Sequence, residues 1–91
     1  MIRRRVLVSG RVQGVGFRQH CAAVAGRAGV AGWVRNRRDG RVEVVVEGPA
    51  DRVQSVIAWC RSGPALADVE ALEVFEEQPI GESGFRVAAT V

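Results

Sequence analysis

The order of apolar and helical patterns predicts a two-layer α+β sandwich, with two helices on one face of an antiparallel sheet. Two observations carry that prediction. Two stretches of helical spacing, each closed by glycine or proline, sit between runs rich in valine. The runs that separate the helices in the middle of the chain are joined by Arg38-Asp39-Gly40, a strong hairpin signal.

The first strand covers about residues 3–10. Helical spacing from Phe17 to Ala28 puts Phe17, Cys21, Val24, Ala25 and Ala28 on one stripe, and Gly29 supplies a left-handed stop. The second strand is about 31–37 and the third about 41–48, the latter alternating only in part, as a half-buried central strand does. Pro49 suits the first turn of a second helix, which carries Val53, Val56, Ile57 and Cys60 on one side and runs to about Arg61. Gly63-Pro64 breaks it. A fourth strand covers about 69–77, and a short terminal strand lies near 84–89. This βαββαβ order with an extra C-terminal strand is the ferredoxin-like plan, as one domain over residues 1–91. The plan by itself assigns no function.

Composition narrows the classes. With 47% hydrophobic and 25% charged residues, the chain has the make-up of a soluble globular protein. No apolar run approaches the ~20 residues needed to span a bilayer, and Val6-Leu7-Val8 is too short for a signal peptide. The expectation is a cytoplasmic protein without membrane contact. Cys21 and Cys60 fall on apolar helical stripes and read as small buried hydrophobes, with a disulfide between the helices the less favoured alternative. His20 is the only histidine, so no metal-ligand set is available and no metal or cofactor is expected. Every basic side chain is arginine. Residues 1–41 hold ten arginines against the single acid Asp39, whereas residues 42–91 hold three arginines against nine acids. Such a split either concentrates an anionic substrate near the first half or merely divides solvated faces.

The densest chemical signal lies between the first strand and the first helix, from Ser9 to Arg18. Gly10, Gly14 and Gly16 let the backbone turn its N–H groups toward one oxyanion. The helix that follows adds free N–H groups and the positive end of its dipole. Arg18 adds a planar fork that fits phosphate. On physics alone this loop is either a plain tight connection or a phosphoryl cradle. It is neither a Walker loop nor a dinucleotide fingerprint.

The string Gly10-Arg11-Val12-Gln13-Gly14-Val15-Gly16-Phe17-Arg18 closely resembles the acylphosphatase signature G-x-V-Q-G-V-x-F-R. Gly32-Trp33-Val34-Arg35-Asn36, followed by the Asp39-Gly40 turn, resembles that family's second signature. The resemblance covers essentially the whole chain. It implies hydrolysis of a carboxyl phosphate to a carboxylate and inorganic phosphate by metal-independent, in-line attack of water. It implies that Arg18 binds the transferring phosphoryl group and that the backbone of Gln13, Gly14, Val15, Gly16, Phe17 and Arg18 completes the cradle. Asn36, alone a common turn or cap residue, is by the same resemblance the residue that orients the water. An amide cannot deprotonate water, so the proton is expected to pass to a phosphoryl oxygen. Inorganic phosphate or sulfate is expected to fit the same cradle, and the protein is expected to be a monomer acting on a small molecule.

Other residues are given plainer roles. His20 lies about 200° around the helix from Arg18 and reads as an exposed or cap-proximal histidine. Phe17 and Trp33 are expected to pack the core, and Arg35, Arg37 and Arg38 to form a solvated charge run. The outer face of the first helix carries almost no charge, and Gly26 within it costs ~1 kcal/mol relative to alanine. An RNA-binding module is disfavoured, because strands 3–10 and 41–48 hold no aromatic residue on which bases stack. The remaining alternative is a non-catalytic module of the same fold that binds acyl or carbamoyl phosphate.

Overall fold

Val6, Val8, Val34, Val42, Val44 and Val46 alternate along three strands and bury themselves completely on one face of the sheet. The computed structural model describes residues 1–91. Its elements are β1 (Ile2–Arg11), α1 (Phe17–Ala28), β2 (Ala31–Asn36), β3 (Val42–Gly48), α2 (Ala50–Cys60), β4 (Asp68–Glu77) and β5 (Phe85–Val87). The strand order is β4-β1-β3-β2-β5. The first four neighbours pair antiparallel, while β5 pairs parallel with β2, so the short extra strand makes the sheet mixed.

Both helices cover the valine face: α1 lies against β2 and β5, α2 against β1 and β3. Phe17, Cys21 and Ala25 recur at helical spacing and are buried, as are Val53, Val56, Ile57 and Cys60 on α2. Gly29 ends α1 in the left-handed conformation, its N–H donating to the Gly26 carbonyl at 3.2 Å. Pro49 stands one residue earlier than its sequence signal placed it. Its extended ψ of 141° makes it the cap, and its carbonyl accepts the Arg52 and Val53 N–H groups at 3.1 and 3.0 Å. Phe17 and Trp59 join the helices, ring centroids 5.1 Å apart. Cys21 and Cys60 are free and fully buried against one another. The neighbouring Cys60 thiol and burial hold the Cys21 thiol well above its usual range, which keeps it unreactive.

The other face of the sheet has no helices over it, yet Glu43, Val45 and Glu47 of β3 are almost completely buried there. Arginines from the flanking strands cover them. Arg3 meets Glu47 at 3.2 Å and Glu77 at 3.0 Å, Arg5 meets Glu77 at 2.9 Å, and Arg35 meets Glu43 at 2.9 Å. Trp33 belongs to this face and not to the core, half-buried with the Arg35 guanidinium 4.5 Å above its ring. The alternation of β2 explains the difference, since Val34 takes the inward position.

From β4 at one edge the chain crosses to β5 at the other through residues 78–84. Glu47 fastens that crossing, its carboxylate accepting the N–H groups of Ile80, Gly81 and Glu82 at 2.9, 2.8 and 3.1 Å. The Ile80 N–H, helped by Arg3 and the other two N–H groups and opposed by burial, holds the Glu47 carboxyl below its ordinary 4.5. A depressed carboxylate contributes stability that is whole above about 4.5 and fades as pH falls through its folded value. Glu47→Gln is therefore expected to lower the melting temperature by about 5–10 °C at pH 7. The gap to the parent should close as the solution is acidified, and thermal melts that stay equally separated at pH 7 and pH 3 would refute this role.

Candidate active site

At the end of the sheet where β1 and β2 finish, the connection from Val12 to Gly16 carries the chain into α1. Val12, Val15 and Phe17 are sunk into the core, holding the loop from beneath. Between them Gly14 and Gly16 take φ of 72° and 81°, a left-handed geometry that a side chain would resist. Gly16 is the N-terminal cap of α1. No N–H from Gln13 to Arg18 donates to another protein group. Unpaired N–H groups at the positive end of a helix are an arrangement that can receive an oxyanion.

Arg18 stands half-exposed in the first turn of α1 and makes no hydrogen bond or ion pair with the protein. Asn36 ends β2 on the same sheet face as Val34, the face that α1 covers. Its carbonyl accepts the Val91 N–H at 3.1 Å, while its side-chain amide makes no hydrogen bond to the protein. The structure therefore brings the Gln13–Arg18 backbone, Arg18 and Asn36 to one end and one side of the sheet.

The comparisons with known proteins follow that geometry. The acylphosphatase family model matches residues 4–87. The acylphosphatase of Roseiflexus sp. (strain RS-1) is 52% identical over 88 residues, covering 96% of this chain and 95% of its own. The chain belongs to the acylphosphatase family. The crystal structure of acylphosphatase from Bacillus subtilis superposes with a TM-score of 0.93 at 39% identity, covering 97% of this chain and 99% of that one. An acylphosphatase from Coxiella burnetii gives 0.91 at 36% identity over 96% and 92%.

In this acylphosphatase the Gln13 side chain has a structural part of its own. Its side-chain Nε2 donates to the carbonyls of Arg37 at 2.7 Å and Arg41 at 3.0 Å, stitching the loop to the β2–β3 hairpin just beyond Asn36. Spacing alone offered no sign of this, because the partners are backbone atoms 24 and 28 residues away. His20 is exposed, with Nδ1 2.8 Å from the Gly16 carbonyl oxygen, so it braces the cap from outside. The Phe17 ring is buried beside Trp59, so only its backbone is available at the loop. A cavity of about 150 Å³ lined by Arg61, Val69, Glu70, Ala71 and Leu72 shares no residue with the cradle.

Replacing Gln13 by alanine removes two donors from half-buried carbonyls and should cost about 1–2 kcal/mol of stability. The loosening should be local. Native-state hydrogen exchange is expected to speed up in residues 12–18 and 37–41 but not at Ile80–Glu82, and uniform change across the chain would count against the stitch.

Proposed function

We propose that this acylphosphatase carries out its hydrolysis through Arg18, Asn36 and the backbone of Gln13, Gly14, Val15, Gly16, Phe17 and Arg18. The observation that carries the reading is the run of unpaired N–H groups from Gln13 to Arg18, set beside an unpaired guanidinium and an unpaired amide. The cradle and Arg18 receive the phosphoryl oxygens. Asn36 holds the attacking water in line with the bond that breaks. The carboxylate leaves well on its own, with an ordinary pKa near ~4, so the enzyme has to supply chiefly positioning and charge stabilisation. Donors without an acid or base are suited to that task. The water's proton passes to a phosphoryl oxygen of the substrate, because Asn36 cannot accept it. All these groups come from one chain, which supports a monomer acting on a small acyl phosphate in the cytoplasm, with inorganic phosphate or sulfate as product-like occupants of the cradle.

The test is hydrolysis of benzoyl phosphate with a chelator present. Arg18→Ala and Asn36→Ala are each expected to lose about 10²–10³-fold in kcat while keeping the parent's circular dichroism. His20→Asn should leave the shape of the pH–rate profile as it is. Full activity in a folded Arg18→Ala variant, or in a folded Asn36→Ala variant, would remove that residue from the mechanism.

A further inference from the structure

His20 is not among the groups proposed to meet substrate, yet it holds one of them in place. Its Nδ1 stands 2.8 Å from the Gly16 carbonyl oxygen, and its backbone N–H donates to the same oxygen at 3.1 Å. A carbonyl oxygen only accepts, so Nδ1 carries a hydrogen and Nε2 is left to solvent. The ring also lies along the Gly16 backbone. A Cβ built on Gly16 would come within 3.2 Å of Nδ1 and 3.4 Å of Cε1. His20 follows Gly16 by four residues, so the first turn of α1 itself brings the ring back over the cap.

The consequence passes through one planar peptide. The Gly16 carbonyl and the Phe17 N–H belong to the same unit, in which they point in opposite directions. Holding the oxygen therefore sets the direction of the Phe17 N–H, which has no protein partner. Such a hold is needed at Gly16, because a glycine at φ 81° and ψ 17° restrains the following peptide less than any other residue would. Among the carbonyls of residues 12–16, that of Gly16 alone accepts hydrogen bonds from the protein. Two donors on one carbonyl also polarise the unit, which makes the N–H at its other end a stronger donor.

We infer that His20 is a positioning residue for the phosphoryl group, orienting and strengthening the Phe17 N–H through the Gly16–Phe17 peptide. This builds on the catalytic reading above, in which that N–H receives a phosphoryl oxygen. The role requires only the hydrogen on Nδ1, which the ring carries here when neutral and also when protonated. Its signature is therefore the placement of a donor and not a pH profile.

The experiment measures kcat and KM for benzoyl phosphate in the parent, His20→Ala, His20→Asn and Glu47→Gln, well below every melting temperature. His20→Ala should lose about three- to tenfold in kcat/KM, the equivalent of one hydrogen bond, with the larger share in kcat. His20→Asn should recover most of that loss, since its Nδ2 lies the same number of bonds from the backbone as the histidine Nδ1. Glu47→Gln weakens the fold at the other end of the sheet and should leave kcat/KM unchanged. The Phe17 amide resonance reports the peptide directly. Inorganic phosphate should shift it downfield in the parent and in His20→Asn, and less in His20→Ala. Parent-like kcat/KM in a folded His20→Ala, an equal loss in His20→Asn, or an equal loss in Glu47→Gln would overturn the inference and leave the catalytic reading standing. A parent in which phosphate shifts no amide from Gln13 to Arg18 would overturn the catalytic reading itself.

Discussion

The loop before α1 depends on a constraint below it: three apolar side chains are buried while the six amides from Gln13 to Arg18 have no protein partner. Val12, Val15 and Phe17 are inserted in the core cluster with no more than 6% exposure each, at intervals that leave the peptides of Gln13, Gly14 and Gly16 on the solvent side. A backbone whose N–H groups have no protein partner is costly to hold in one shape unless something else fixes it. Burial of those three side chains supplies that fixation, and left-handed φ at Gly14 and Gly16 lets the chain turn between them. Rigid donors aimed at the place where charge collects need not reorganise during reaction, which is the source of their catalytic strength.

The uneven charge along the sequence has a structural purpose that its linear form conceals. Much of the acidic second half lies against the arginines of the first, with Glu43 and Glu47 of β3 buried beneath guanidinium groups from β1, β2 and the hairpin. Paired in this way, those charges close a sheet face that no helix covers. They also cancel most of the positive field that residues 1–41 would otherwise project. Among the arginines left without a carboxylate partner, Arg11, Arg18 and Arg38 stand near the end of the sheet where β1 and β2 finish.

Most of the architecture was legible because short-range signals agreed with one another. Valine alternation marked the strands, Arg38-Asp39-Gly40 marked the hairpin, and Gly29 marked the end of α1. The shape of the loop before α1 was legible for the same reason, since glycine spacing and a helix start have local meaning. The parts that were not legible all involve partners distant in sequence. Trp33 resembles a core residue until the register of β2 assigns the inward position to Val34. Glu47 looks like an ordinary surface carboxylate until residues 80–82 return to it across the sheet. Gln13 looks like a loop residue whose backbone matters, and only the folded hairpin shows what its amide holds.

Those distant contacts are also what make the two halves of the site act as one. The cradle belongs to the connection after β1 and Asn36 to the end of β2, and in the sheet these strands are separated by β3. Gln13 ties the loop to the hairpin on one side of Asn36, and Val91 binds the backbone of Asn36 and Arg38 on the other. On the proposed mechanism, a water held by Asn36 would attack productively only with the phosphoryl group within a fraction of an ångström of its place, since errors of about 1 Å cost on the order of 10²-fold in rate. On that mechanism, the hydrogen bonds that fasten the loop to the hairpin, and those that tie Val91 to Asn36 and Arg38, serve to position the site without touching the reacting atoms.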